Sequence, residues 1–152
     1  MAGVFFNATS GEVSFTAATA KTAIQIKAAA NQRCVIRGIK IMGKASAGGT
    51  DQPAKVRVTR STANFGTGSS GTSNKNNPSD SETLQTSVFS NFTVEPTTPT
   101  DGAIYWEVQP QLGIDEFLPP QFPIIVPGGQ SVQFEITCPA NQTMVVTLQC
   151  EE

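Results

Sequence analysis

The chain has no histidine among its 152 residues and only three cysteines. Without imidazole, Ser-His-Asp and Cys-His catalytic arrangements are excluded, and so are histidine-ligated metal sites. The cysteines, at positions 34, 138 and 150, show no CxxC spacing, so we expect free buried thiols of the kind found in a reducing compartment. We place Cys138 and Cys150 on adjacent strands.

Charged residues are also scarce, at 14%, and the formal net charge is −2. This charge is too small for nucleic acid or an anionic membrane to be the main partner. No apolar run approaches the roughly 20 residues that a membrane span needs, and the first ten residues lack the basic start of a signal peptide. Basic residues crowd between Lys21 and Arg60, and acids dominate afterwards. Two interpretations stay open: oppositely charged strands within one domain, or charge matching between subunits.

Other reactive motifs are missing too. Asp115 and Glu116 are adjacent, but neighbours on an extended chain point to opposite sides, which disfavours a glycosidase pair. The glycine-rich residues 66–72 lack the lysine and the following helix of a phosphate-binding loop. No loop offers the ligand series of a calcium site. We therefore expect no enzyme, no cofactor and no metal site.

Short alternating segments dominate what remains. Residues 22–27 (TAIQIK), 54–60 (AKVRVTR) and 131–137 (SVQFEIT) carry apolar side chains at every second position, which is typical of half-buried strands. Gly38, inside another such segment, indicates a bulge or a bend. Abundant Ser, Thr, Asn and Gln disfavour helices. We predict principal strands at residues 22–27, 33–44, 54–60, 82–94, 103–108, 124–126, 131–137 and 144–150.

This pattern predicts one all-β domain, an antiparallel two-sheet jelly-roll sandwich of about eight strands over residues 16–152. An immunoglobulin-like sandwich is the nearest competing fold. Residues 1–15 form an N-terminal arm or an edge strand. Residues 61–80 form a long loop. Residues 109–123, which contain four prolines, are extended and irregular.

Two regions offer candidate contacts with other proteins near the start of the chain. Val4, Phe5 and Phe6 are apolar on a terminus that otherwise frays, so they grip a neighbour or begin a strand of their own sheet. Arg57 lies in the basic strands of residues 22–60, which form a second candidate face.

Three aromatic residues complete the candidate interface. Trp106 follows Tyr105, so one of the two faces inward, and Trp106 belongs to the core, to an interface or to a sugar platform. Phe117 and Phe122 lie in the proline-rich stretch. That stretch, poor in backbone donors, packs against a neighbouring subunit or covers its own sheet end.

Several stretches resemble the jelly-roll capsid decoration (cement) proteins of tailed bacteriophages. The similarity lies in the order and spacing of strands and in the VPGG turn at residues 126–129. The stretches are residues 16–33 (TAATAKTAIQIKAAANQR), 53–62 (PAKVRVTRST), 104–111 (IYWEVQPQ), 122–140 (FPIIVPGGQSVQFEITCPA) and 146–152 (VTLQCEE).

The resemblance implies a virion protein, made in the host cytoplasm, that sits on the capsid exterior as a homotrimer. It clamps adjacent subunits of the major capsid protein, with no nucleic acid or membrane as partner. The alternative on the same fold is a head-fibre or tail-knob domain that binds a host-surface carbohydrate or receptor.

Overall fold

The computed structural model describes residues 3–44, 52–97 and 100–152, which form thirteen β-strands and no helix. The all-β prediction is confirmed. The strands are β1 (Phe5–Thr9), β2 (Val13–Phe15), β3 (Ala20–Lys27), β4 (Cys34–Lys44), β5 (Ala54–Ser61), β6 (Thr67–Ser70), β7 (Thr72–Lys75), β8 (Ser87–Val94), β9 (Thr100–Val108), β10 (Ile114–Phe117), β11 (Ile124–Val126), β12 (Ser131–Thr137) and β13 (Gln142–Glu151).

The strands form two antiparallel sheets, as a β-sandwich requires. Sheet A has the order β10-β4-β13-β1-β7, with β11 following β10 along β4 and β2 following β1 along β13. Sheet B has the order β6-β8-β3-β12-β5-β9. Most connections cross from one sheet to the other, so the chain builds both sheets together.

The period-two alternation places apolar side chains of both sheets in one core. Ile24 of β3 and Phe134 of β12 are fully buried in sheet B, and Phe6 of β1 and Leu148 of β13 are fully buried in sheet A. Each such side chain contributes about 1.5–3 kcal/mol when removed from water. The core therefore accounts for the sandwich without a disulfide or metal.

The bulge predicted at Gly38 is present in β4. Gln149 pairs with Gly38, whereas the next residue of β13, Cys150, pairs with Ile36, so Arg37 is the extra residue. A Cβ at position 38 would lie 2.8 Å from Oε1 of Gln149. Close approach of the neighbouring strand is the reason for glycine here.

Residues 61–80 are not one long loop, as the sequence predicted. They contain β6, which pairs with β8 in sheet B, and β7, which pairs with β1 in sheet A. Between these strands the Gly71 amide donates to the Val88 carbonyl at 2.8 Å. The side chains of both strands are mostly exposed, so no apolar alternation marks them.

Two smaller predictions also need correction. Residues 109–123 include the short edge strand β10, which pairs with β4. Cys138 follows β12 of sheet B, whereas Cys150 lies in β13 of sheet A, so these cysteines are not on adjacent strands of one sheet. The thiol of Cys150 interacts with that of Cys34 instead, and all three thiols are free and buried.

The first described residues belong to sheet A. Strand β1 lies between β13 and β7, and β2 continues along β13. Val4 and Glu152 exchange two backbone hydrogen bonds of 2.8 and 3.1 Å. The sequence left two alternatives for this segment, contact with a neighbour or a strand of its own sheet. In the structure the segment forms strands within the sandwich.

Candidate interaction surface

The most exposed aromatic side chains lie at one edge of sheet A. Phe117 is 71% exposed and Phe122 is 77% exposed. Phe117 ends β10 opposite Gly38, and Ile125 of β11, also exposed, lies opposite Val35. We call the group formed by Phe117, Phe122 and Ile125 the apolar edge.

The local sequence explains why this edge is irregular yet fixed. Both β10 and β11 pair with β4, and the three residues between Leu118 and Phe122 include two prolines that cannot donate to a ladder. The Leu118 amide still donates to the Arg37 carbonyl at 2.8 Å, and the Phe122 amide donates to the Pro119 carbonyl at 2.8 Å. The backbone therefore turns between two anchored strands, and Phe122 lies at the end of this turn.

Polar contacts tie the apolar edge to both sheets. Lys40 of β4 forms an ion pair with Asp115 of β10 at 3.3 Å. The guanidinium of Arg60, from sheet B, donates to the Ile125 carbonyl. An edge strand otherwise presents unpaired carbonyls, so the Arg60 contact both caps β11 and joins the two sheets.

The apolar edge is an anchor rather than a complete interface. An aromatic side chain carries about 150–250 Å², so Phe117 and Phe122 together expose roughly 300 Å². A stable interface buries about 800 Å² on each partner. Exposed aromatics at the centre of such an interface supply most of its binding energy, and a polar rim supplies the remaining area.

The other residues predicted for the interface lie elsewhere. Val4 is 4% exposed and Phe6 is fully buried, so both belong to the core. Alternation along β1 turns Phe5 outward, where it is 48% exposed. Strand β1 is separated from β10 by β13 and β4, so Phe5 is not part of the apolar edge. Of the three N-terminal residues, only Phe5 has surface to offer a partner.

Trp106 takes an intermediate position between core and surface. Its ring stacks on the buried Phe134, with centroids 6.4 Å apart and planes at 21°. Its Nε1 donates to Oε2 of Glu116 at 3.0 Å. Phe134 lies against the ring and Glu116 engages the donor, so Trp106 packs against the core.

Arg57 is held by a partner in its own sheet. Its Nη2 lies 2.8 Å from Oε1 of Glu135 on β12, the strand beside β5. Similar pairs join residues of the basic first half to acids elsewhere: Arg37 to Glu151, Lys40 to Asp115 and Lys44 to Glu12. Three of these four pairs join a basic strand to an acid from the second half of the chain, as the interpretation of oppositely charged strands within one domain predicts.

The adjacent acids of β10 point apart. Asp115 pairs with Lys40 on the outer face of sheet A, and Glu116 accepts from Trp106 of sheet B. The described residues also hold no group of three metal-ligating side chains and no helix able to cross a membrane.

The sequence analysis named Phe117 and Phe122 as candidate contacts and did not name Ile125, which is also exposed. The signal was present, because Ile125 sits in the run PIIV, where a strand buried on one face must turn its middle residue outward. Comparisons of the chain with protein-family models, with curated proteins and with solved structures found no match.

Proposed function

We propose that the protein is a capsid decoration protein that binds the outer surface of a mature bacteriophage shell as a homotrimer. Its four central strands per sheet, β1/β2-β13-β4-β10/β11 and β3-β12-β5-β9, have the connectivity that we assign to a jelly roll. Strands β6, β7 and β8 extend this framework at one side. The observation that carries the proposal is the exposure of Phe117 and Phe122 on an anchored edge.

The proposed role requires a rigid binding surface and no catalytic step. A protein that binds only the expanded shell stabilises that state by linkage, in proportion to the logarithm of its concentration over its Kd. Three linked footprints raise the overall affinity without tight individual contacts. A cyclic trimer also matches local three-fold positions on a shell. The apolar edge, fixed by β4 and by Arg60, suits such a contact because little ordering entropy is lost on binding.

The proposal is tested with expanded and unexpanded shells assembled from the major capsid protein encoded with this chain. We expect the purified protein to sediment as a trimer and to co-sediment with expanded shells only. The double variant Phe117→Ser/Phe122→Ser is expected to lose either trimer formation or shell binding. Val94→Ser, at an exposed apolar residue of β8 in sheet B, is the matched control and should retain both. A protein that sediments as a monomer and binds neither expanded nor unexpanded shells would contradict the proposal.

A further inference from the structure

A groove of about 470 Å³ lies on the outer face of sheet B. It is bordered by β3, by β8 and by the segment around Phe65 that leads into β6. It lies outside the apolar edge, which belongs to sheet A. Its volume falls within the range of small-ligand sites.

The walls of the groove are aromatic. Phe65 and Phe89 are half-buried and keep part of their surface open. The ammonium of Lys27 lies 4.1 Å from the centroid of the Phe65 ring, a distance at which a cation is attracted to the ring face. This contact fixes the ring. The described lining residues of the groove include no acidic side chain.

The floor of the groove is polar and buried. Gln25 is fully buried, and its Nε2 donates to the Phe65 carbonyl at 3.1 Å and to Oγ of Ser131 at 3.3 Å. Nε2 of Gln133 donates to the same Oγ at 3.1 Å, and Oγ1 of Thr59 donates to Oε1 of Gln133 at 3.4 Å. This network runs across three strands to the Gln25 amide.

The network leaves one acceptor unused. Oε1 of Gln25 has no hydrogen-bond partner among the described residues and is sealed from water. An unpaired buried acceptor is costly, so it calls for a donor. The Phe65 carbonyl holds Nε2 of the same amide, and Gln25 is one of the residues that line the groove.

We propose that this groove binds a saccharide. A sugar offers apolar C–H faces for Phe65 and Phe89, and hydroxyl groups that donate and accept. One hydroxyl would donate to Oε1 of Gln25, the acceptor that has no partner among the described residues. A phosphate-bearing ligand is disfavoured because Lys27 is the only cation in the described lining and already contacts a ring. The proposal rests on the groove alone and does not depend on shell binding.

The test is an NMR titration of the full-length protein with a panel of neutral mono- and disaccharides of bacterial surfaces, including glucose, galactose, rhamnose and N-acetylglucosamine. We expect at least one sugar to give saturable shifts of the Gln25 side-chain amide and of the Phe65 and Phe89 ring signals. Phe65→Ala is expected to weaken that binding at least tenfold. Phe122→Ala, on the apolar edge, should leave the Kd unchanged.

Two further measurements keep the test decisive. If Phe65→Ala fails to fold, the surface variant Lys27→Gln, which frees the Phe65 ring, is expected to change the Kd severalfold in a folded protein. The proposal is overturned if no sugar shifts these signals at concentrations up to about 10 mM, or if the shifts persist unchanged in both groove variants. Because Phe117→Ser/Phe122→Ser leaves the groove intact, its loss of shell binding with retained sugar binding separates this inference from the proposed function.

Discussion

The indole Nε1 of Trp106 donates to Oε2 of Glu116 at 3.0 Å, and this bond joins the edge strand of sheet B to the edge strand of sheet A. The same indole ring stacks on Phe134 in the core. One side chain therefore links the interior to the edge that carries Phe117.

This link predicts an energetic coupling between the two residues. In a double-mutant cycle of Trp106→Phe and Glu116→Ala, we expect a coupling of about 0.5–1 kcal/mol, at the low end for hydrogen bonds because the bond is exposed. Urea denaturation of the four proteins measures it. Asp115→Ala paired with Trp106→Phe is the matched control, and a coupling as large for that pair would show that the bond is not the cause.

Neighbouring phenylalanines of β1 are expected to behave oppositely. Phe6→Ala should reduce the free energy of unfolding by about 3–5 kcal/mol, because it leaves a cavity in the core. Phe5→Ala, one residue earlier and exposed, should change it by less than about 1 kcal/mol. Equal effects in chemical denaturation would contradict the placement of this segment as a strand of sheet A.

The side chain of Glu152 is expected to stabilise the start of the β8 region. Its two carboxylate oxygens accept from the backbone amides of Gln85 and Thr86 at 2.7 and 2.8 Å. Glu152→Ala should therefore reduce the free energy of unfolding by about 1–3 kcal/mol. Glu107→Ala is the control, because that exposed acid lies at the far side of sheet B. Hydrogen exchange should accelerate at Gln85 and Thr86 first, and unchanged rates there would refute the contact.

The thiols predict a dependence of stability on pH. Burial raises the pKa of Cys138, with a hydrogen bond to Gln142 opposing it. The neighbouring Cys34 thiol, followed by burial, raises the pKa of Cys150 well above its usual value. In the unfolded chain thiols lose protons from about pH 8.5 upward. The folded protein then holds more protons than the unfolded chain, so the free energy of unfolding falls as pH rises through this range.

Denaturation in urea between about pH 7.5 and 9.5 measures this effect, below the range in which lysines titrate. We expect the double variant Cys138→Ala/Cys150→Ala to show a smaller decline than the parent protein. An equal decline in both would assign the pH dependence to other groups.

The strands that could be predicted from the sequence are those in which buried apolar residues alternate with polar ones. In β5 and β12, Val56, Val58, Phe134 and Ile136 alternate with polar residues. This alternation follows directly from a strand with one face in the core and the other face toward solvent. Gly38 likewise marked its bulge because a side chain would collide with β13. Where neighbouring strands require an apolar side chain or no side chain at a position, the residue type at that position indicates the local structure.

The misplaced features are those decided by backbone hydrogen bonds between distant segments. Strands β6 and β7 are rich in Ser, Thr and Gly and expose most of their side chains, so only their partners β8 and β1 define them. For the same reason the core location of Val4 and Phe6 could not be predicted, because it depends on pairing with β13, which is far along the chain. The groove beside Gln25 could not be predicted either, because it depends on the contact of Gln25 with Phe65, which is remote from β3 in the sequence.

The pairing of β1 with β13 has a consequence for biosynthesis. Phe6 lies opposite Cys150 in the register, so β13 must leave the ribosome before this pair meets. Strand β4 also waits for β13, its neighbour in the middle of sheet A. Contacts this remote in sequence slow folding to the range of milliseconds to seconds. The nascent chain therefore cannot complete sheet A until β13 has been synthesised.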